Sequence, residues 1–125
     1  MSKEDILKDL TNIKKSYDST KEERNNLLKQ GEDILKDKGA VETALFALRA
    51  ALEHATEAGL TQEDVFNKVS ELGQLNSKKR KLEEEYHQIS PKYMQKVNEV
   101  ENLKKKIKKL QTSFWESKGL NVDFF

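Results

Sequence analysis

The chain has no cysteine, which excludes disulfides, thiol chemistry and thiolate-ligated metals. It has one proline, Pro91, and five glycines, and aromatic residues make up only 7% of it, so little can be buried at a conventional centre. No apolar run approaches the length of a membrane span, and the opening Met1-Ser2-Lys3-Glu4-Asp5 has no apolar signal-type segment. A soluble intracellular protein, cytoplasmic or nuclear, is expected. Charge of one sign is missing too. The net charge is +1, which argues against capture of nucleic acid by the overall field. The halves differ slightly, with 10 basic and 12 acidic residues in 1–60 against 13 and 10 in 61–125.

Charged residues account for 36% of the chain and apolar residues for 35%, with Lys, Glu, Leu and Ala prominent. That composition marks long helices, and 125 residues suit one domain. The midpoint holds the strongest local signal, Ala58-Gly59-Leu60-Thr61-Gln62-Glu63-Asp64. Gly59 suits the left-handed end of a helix, because a Cβ would clash there. Thr61 with Asp64 three residues on resembles a capping box in which Asp replaces Glu or Gln. Glu63 and Asp64 put negative charge at the positive end of the second helix dipole. One helix therefore stops and another starts within a few residues, as in an antiparallel hairpin.

Apolar spacing on both sides supports this. In the first arm, alternating steps of four and three run through Ile6, Leu10, Ile13, Tyr17, Thr20, Arg24, Leu27, Gly31, Ile34, Lys38, Val41, Leu45, Leu48, Leu52 and Ala55. In the second they run through Val65, Lys68, Leu72, Leu75, Lys79, Leu82, Tyr86, Ile89, Tyr93, Lys96, Val100, Leu103, Ile107, Leu110 and Phe114. A phase sustained this long is the coiled-coil signal. Folding the chain about position 60 pairs residues whose numbers sum to 120, so that Ile6 meets Phe114, Leu10 meets Leu110 and Leu48 meets Leu72. The expected fold is all-α: a long antiparallel helical hairpin over residues 1–118. Its first arm covers 3–58, the turn 59–61 and the second arm 62–118, each arm ~80 Å long at ~1.5 Å per residue. Pro91 lies at nearly the level of Gly31, so a kink or joint is expected at 90–91, the alternative being a mild bend. A break of the first arm at Gly39 is the other point of weakness.

Residues 40–52 carry an apolar face wider than the seam, because Ala44, Phe46, Ala47 and Ala51 lie outside it. Val65, Phe66 and Val69 widen the second arm at the same end. A two-helix hairpin cannot bury all of this, which points to a homodimer or higher oligomer. A four-helix bundle near the turn would use Leu45, Phe46, Leu48, Leu52, Val65, Phe66, Val69 and Leu72. The alternative is a third helix, made by a break at Gly39, that covers the face within one chain. Beyond Gly119, placed as a C-cap, residues 119–125 form an apolar tail. Trp115, Leu120, Val122, Phe124 and Phe125 are the candidate docking residues for another protein; the tail could equally fold back over Phe114 and Trp115.

Reactive constellations are scarce. His54 and His87 are too far apart along the arms to share a metal or a dyad, and read as helix-surface residues. The glycines are scattered singly, without a phosphate loop. No catalytic residue, metal ligand or cofactor is expected. The acidic Glu83-Glu84-Glu85 after the basic Lys78-Lys79-Arg80-Lys81 reads as a solvated face with i,i+4 pairing. One charge feature stands apart: Lys104, Lys105, Lys106, Lys108 and Lys109 have no acid between residues 102 and 115. Folding about position 60 adds Lys14 and Lys15 at the same level, with Asp18 the nearby acid. This collar is a solvated face or an anion contact; it has no Arg and no interleaved aromatics for stacking on bases. The function expected is that of a non-enzymatic structural or adaptor protein. The alternatives are an accessory nucleic-acid-binding protein using the lysine collar, and a hairpin chaperone or inhibitor of one client protein.

Overall fold

The computed structural model describes residues 3–117 and consists of two helices, α1 (Lys3–Glu53) and α2 (Gln62–Ser117), without strands among the described residues. The fold is all-α, a helical hairpin. Each helix opens with acids in its first turn, Glu4 and Asp5 in α1 and Glu63 and Asp64 in α2, where the dipole favours them. Every seam position read from the sequence is buried or half-buried, from Ile6 to Ala55 and from Val65 to Phe114.

α1 passes through Gly31 and Gly39 without a break, so there is no third helix over the apolar face among the described residues. A glycine in a helix interior costs about 1 kcal/mol. Burial of Val41 and Leu45, at about 1.5–3 kcal/mol each, outweighs it. The Thr43 hydroxyl also donates to the Gly39 carbonyl oxygen at 3.0 Å, two residues from Val41. α2 likewise runs through Pro91, whose missing N–H leaves the His87 carbonyl without its helical donor.

The described residues divide into two compact units. One comprises residues 3–28 with 91–117 and the other residues 29–90, so the division falls at Pro91 in α2 and just before Gly31 in α1. In the unit of residues 29–90, Ile34, Val41 and Leu45 of α1 pack with Leu82 of α2, and Leu72, Leu75, Tyr86 and Ile89 close around them. Gly31 is buried at the seam there; a Cβ on it would meet the Tyr86 ring at 3.8 Å, so the small residue lets the ring lie against the backbone. Two seam lysines are neutralised across the helices. Lys38 Nζ lies 3.4 Å from Glu83, and Lys79 Nζ lies 3.7 Å from Glu42.

In the other unit the buried side chains are Ile6, Val100 and Ile107, with Val100 only 2% exposed. The seam lysine here, Lys96, reaches Glu23 of α1 at 2.7 Å and Glu99 of its own helix at 3.1 Å. Those two carboxylates raise the Lys96 pKa above its ordinary value. The paired numbers sum to 119 for Glu23–Lys96 and to 121 for Lys38–Glu83 and Glu42–Lys79. In both units the register therefore lies within a residue of the sum of 120 read from the sequence.

Candidate functional site

The turn that ends α1 is built from backbone hydrogen bonds. Gly59 has φ of 72°, a conformation glycine adopts without a Cβ clash. Its N–H donates to Thr56 O at 3.3 Å and the Leu60 N–H donates to Ala55 O at 3.0 Å, the paired bonds of a Schellman cap. α2 then begins with a reciprocal capping box: Asp64 N–H donates to Thr61 Oγ1 and Thr61 N–H donates to Asp64 Oδ2, both at 3.1 Å. The bond from the Thr61 N–H holds the Asp64 carboxyl below its ordinary pKa, helped by the Thr61 hydroxyl and by Lys68.

Beyond this capped turn, the pairing of the two seams decides which faces the helices present outward. Writing the seam as heptad positions a and d, Glu42 and Glu83 both fall at e, and both touch Lys38. The e positions of the two helices therefore share one side of the unit. Val69 is also at e, while Phe46 and Phe66 are at b, the next position round on that same side. All three are exposed: Phe46 by 74%, Phe66 by 73% and Val69 by 51%. The other side carries Ala44 at g. There Asp37, Ala40, Val41, Ala44, Leu75 and Lys78 line a shallow groove of about 260 Å³. The wide apolar stripe of residues 40–52 is thus split between two opposite sides, because a stripe wider than the seam must wrap round the helix.

The remaining interface candidates sit elsewhere. Leu45 is a core residue at 2% exposure, and Leu48, Leu52, Val65 and Leu72 are half-buried in the seam. Intramolecular pairing of α1 and α2 occupies these five. It leaves Phe46, Phe66 and Val69 facing outward.

The lysine candidates Lys14, Lys15, Lys104, Lys105, Lys106, Lys108 and Lys109 are all exposed. Lys106 and Lys109 share a groove of about 460 Å³ with Asp9, Ile13, Leu110 and Ser113. Asp9, and not Asp18 alone, therefore tempers the collar from α1; its g position faces the g position of Lys106. Of the docking candidates, Trp115 is half-buried and meets the Phe114 ring edge-on, with centroids 5.8 Å apart at 76°. Leu120, Val122, Phe124 and Phe125 lie outside the described residues, as does Gly119.

His54 and His87 are both exposed, with His54 Nδ1 3.3 Å from Glu57. No group of three metal-ligating side chains occurs among the described residues, and no helix among them is long and apolar enough to cross a membrane. The layer of Lys38, Glu42, Lys79 and Glu83 escaped the sequence reading. The fold-back sum alone could have found it, since Lys38 and Glu42 fall level with positions 82 and 78. No protein-family model matches the chain, and no curated protein and no solved structure matches it.

Proposed function

We propose that this protein is a non-enzymatic helical-hairpin scaffold that associates with a second copy through the turn end of its e side. The carrying observation is the contrast between neighbours. Leu45 is 2% exposed in the seam, while Phe46 is 74% exposed beside it, on the side that also carries Phe66 and Val69. Three large apolar side chains at the end best braced by the Schellman cap and capping box form a preorganised patch. An isologous contact would repeat the patch twice and bring four helices together. Full burial of six such side chains gives at most roughly 9–18 kcal/mol at about 1.5–3 kcal/mol each, offset by an association cost of about 4–15 kcal/mol. The contact is accordingly concentration-dependent. The end of α2 with half-buried Trp115, together with the tail beyond it, supplies the docking element for another protein in this reading.

Molar mass in solution by light scattering tests the proposal. The chain mass is 14.5 kDa. Wild type at high concentration should scatter as a dimer or larger, and Phe46→Glu should scatter as a single chain. A single-chain mass for wild type at millimolar concentration rejects the association surface.

A further inference from the structure

Lys104, Lys105, Lys106, Lys108 and Lys109 occupy five of six consecutive positions of α2, and all five are exposed. Successive helix residues turn by ~100°, so these five cover the arc pointing away from α1 while Leu103, Ile107 and Leu110 close the seam. Lys105, Lys106, Lys108 and Lys109 line a groove of about 550 Å³ with Thr112 and Ser113. Lys104 joins Lys105 and Lys108 in a second, of about 210 Å³, whose rim is Glu101. Three of the four seam lysines behave differently: Lys38, Lys79 and Lys96 each reach a carboxylate. Among the described residues, Lys104, Lys105, Lys106 and Lys109 have no acidic partner within 4.0 Å. Positive charge is concentrated here although the chain as a whole is nearly neutral.

We infer that this face binds double-stranded nucleic acid through its backbone phosphates, without reading base sequence. Lysine is a compact point charge that suits a phosphate oxygen, whereas paired reading of a base edge favours the guanidinium fork. The lysine run 104–109 contains neither Arg nor an interleaved aromatic ring, and the nearest rings, Phe114 and Trp115, are half-buried and packed edge-on against each other, which makes a poor platform for unstacked bases. A duplex needs none, because its bases are already stacked and its phosphates face outward. Lysines three and four residues apart stand ~5–6 Å from one another. A duplex strand offers a phosphate about every 3.4 Å of axis, so each ammonium finds one. A lipid surface fits less well. Interfacial helices bury a continuous apolar face, whereas the exposed large apolar side chains near these lysines are two separate ones, Leu7 and Met94.

The test is fluorescence anisotropy of a labelled random-sequence DNA duplex with the full chain, across a salt series. Binding should be independent of sequence, with log K falling against log salt at a slope of about −3 to −4, for four phosphates neutralised. The combined variant Lys104→Gln, Lys105→Gln and Lys109→Gln should keep its helicity, weaken binding at least tenfold and flatten the slope by about 2–3. A control removes the same charge from the other basic run, with Lys78→Gln, Arg80→Gln and Lys81→Gln, and should bind as wild type. Three results overturn the inference: no binding at low salt, equal weakening in the control, or tighter binding to vesicles of anionic phospholipid than to duplex. The lysines belong to the unit of residues 91–117 and Phe46 to that of residues 29–90, so failure here leaves the association surface standing.

Discussion

Lys38 of α1 lies 3.4 Å from Glu83 of α2 and 3.8 Å from Glu42 of its own helix, and Glu42 in turn accepts Lys79 at 3.7 Å. Two lysines at seam positions, where apolar side chains are the rule, are thereby neutralised by carboxylates at the flanking e positions. An apolar seam tolerates slippage, because one Leu resembles the next; a seam lysine tolerates only the register that brings its acid opposite. The layer thus serves specificity more than stability. Its side chains are 29–48% exposed, so each pair is worth about 1 kcal/mol or less.

Reversing one charge makes this measurable. Lys38→Glu sets a third carboxylate beside Glu42 and Glu83, and should lower unfolding stability by about 1 kcal/mol. Adding Glu83→Lys should recover most of the loss, with the recovery shrinking in high salt. Urea denaturation of the two single variants and the double one gives the coupling directly. Strictly additive effects would show that the pair does not interact in solution.

Much of this architecture was legible in the residues themselves, for a physical reason. Where one face of a helix is buried against one partner, periodicity of three and four, a Gly at the C-cap and a Thr-x-x-Asp box are each dictated locally. Gly59, Thr61 and Asp64 accordingly sit where their chemistry puts them. Gly39 was harder, since it disfavours a helix locally and is overruled by the burial of Val41 and Leu45 beside it. The candidate surface was legible only in part. Composition showed an excess of apolar groups at 40–52, but Leu45 and Phe46 are chemically alike, and only their angular positions on α1 decide which one is buried. Asp9 went unnoticed because its relation to Lys106 and Lys109 depends on a partner about a hundred residues away.

The glycines separate turn chemistry from helix chemistry. Gly59→Ala forces an L-residue into φ of 72° with nothing within 4 Å of its new Cβ, so its cost is backbone strain alone, about 1–2 kcal/mol. Gly39→Ala also places a methyl group in open space, but inside a helix, and should stabilise by up to about 1 kcal/mol. Thermal unfolding of both variants should shift in opposite directions. A shift of the same sign would mean that the turn, or the continuity of α1 at Gly39, is not as described.

Two groups contribute a pH dependence of known sign. The Asp64 pKa is held below its ordinary value of 3.8, chiefly by the Thr61 N–H, so the folded state binds that proton less well than the unfolded chain does. Its contribution is complete above pH 3.8 and is lost as pH falls through the lower folded value. Lys96 has its pKa raised above 10.5, first by Glu23 and then by Glu99, so its contribution is complete below 10.5 and disappears as pH rises through the higher folded value. Stability measured from pH 2 to 12 should lose part of its acid limb in Asp64→Asn and part of its alkaline limb in Lys96→Met. An unchanged acid limb in Asp64→Asn would mean that the capping box does not hold in solution.

The adjacent residues Leu45 and Phe46 should respond to truncation by different amounts and with different dependence on concentration. Leu45→Ala removes a side chain 2% exposed in the intramolecular core and should cost about 2–3 kcal/mol at every protein concentration. Phe46→Ala removes one that is 74% exposed, so in the single chain it removes almost no contact and should cost under about 0.5 kcal/mol. If the outward face is an association surface, that small cost grows with concentration, because an associated chain gains stability by mass action and the variant forgoes it. Thermal midpoints of wild type, Leu45→Ala and Phe46→Ala, each measured over a hundredfold range of concentration, distinguish the cases. A wild-type midpoint that rises with concentration, with Phe46→Ala flat, places Phe46 at an interface. Parallel flat lines for wild type and Phe46→Ala would make Phe46 an ordinary exposed side chain, and the scaffold reading would lose its carrying observation.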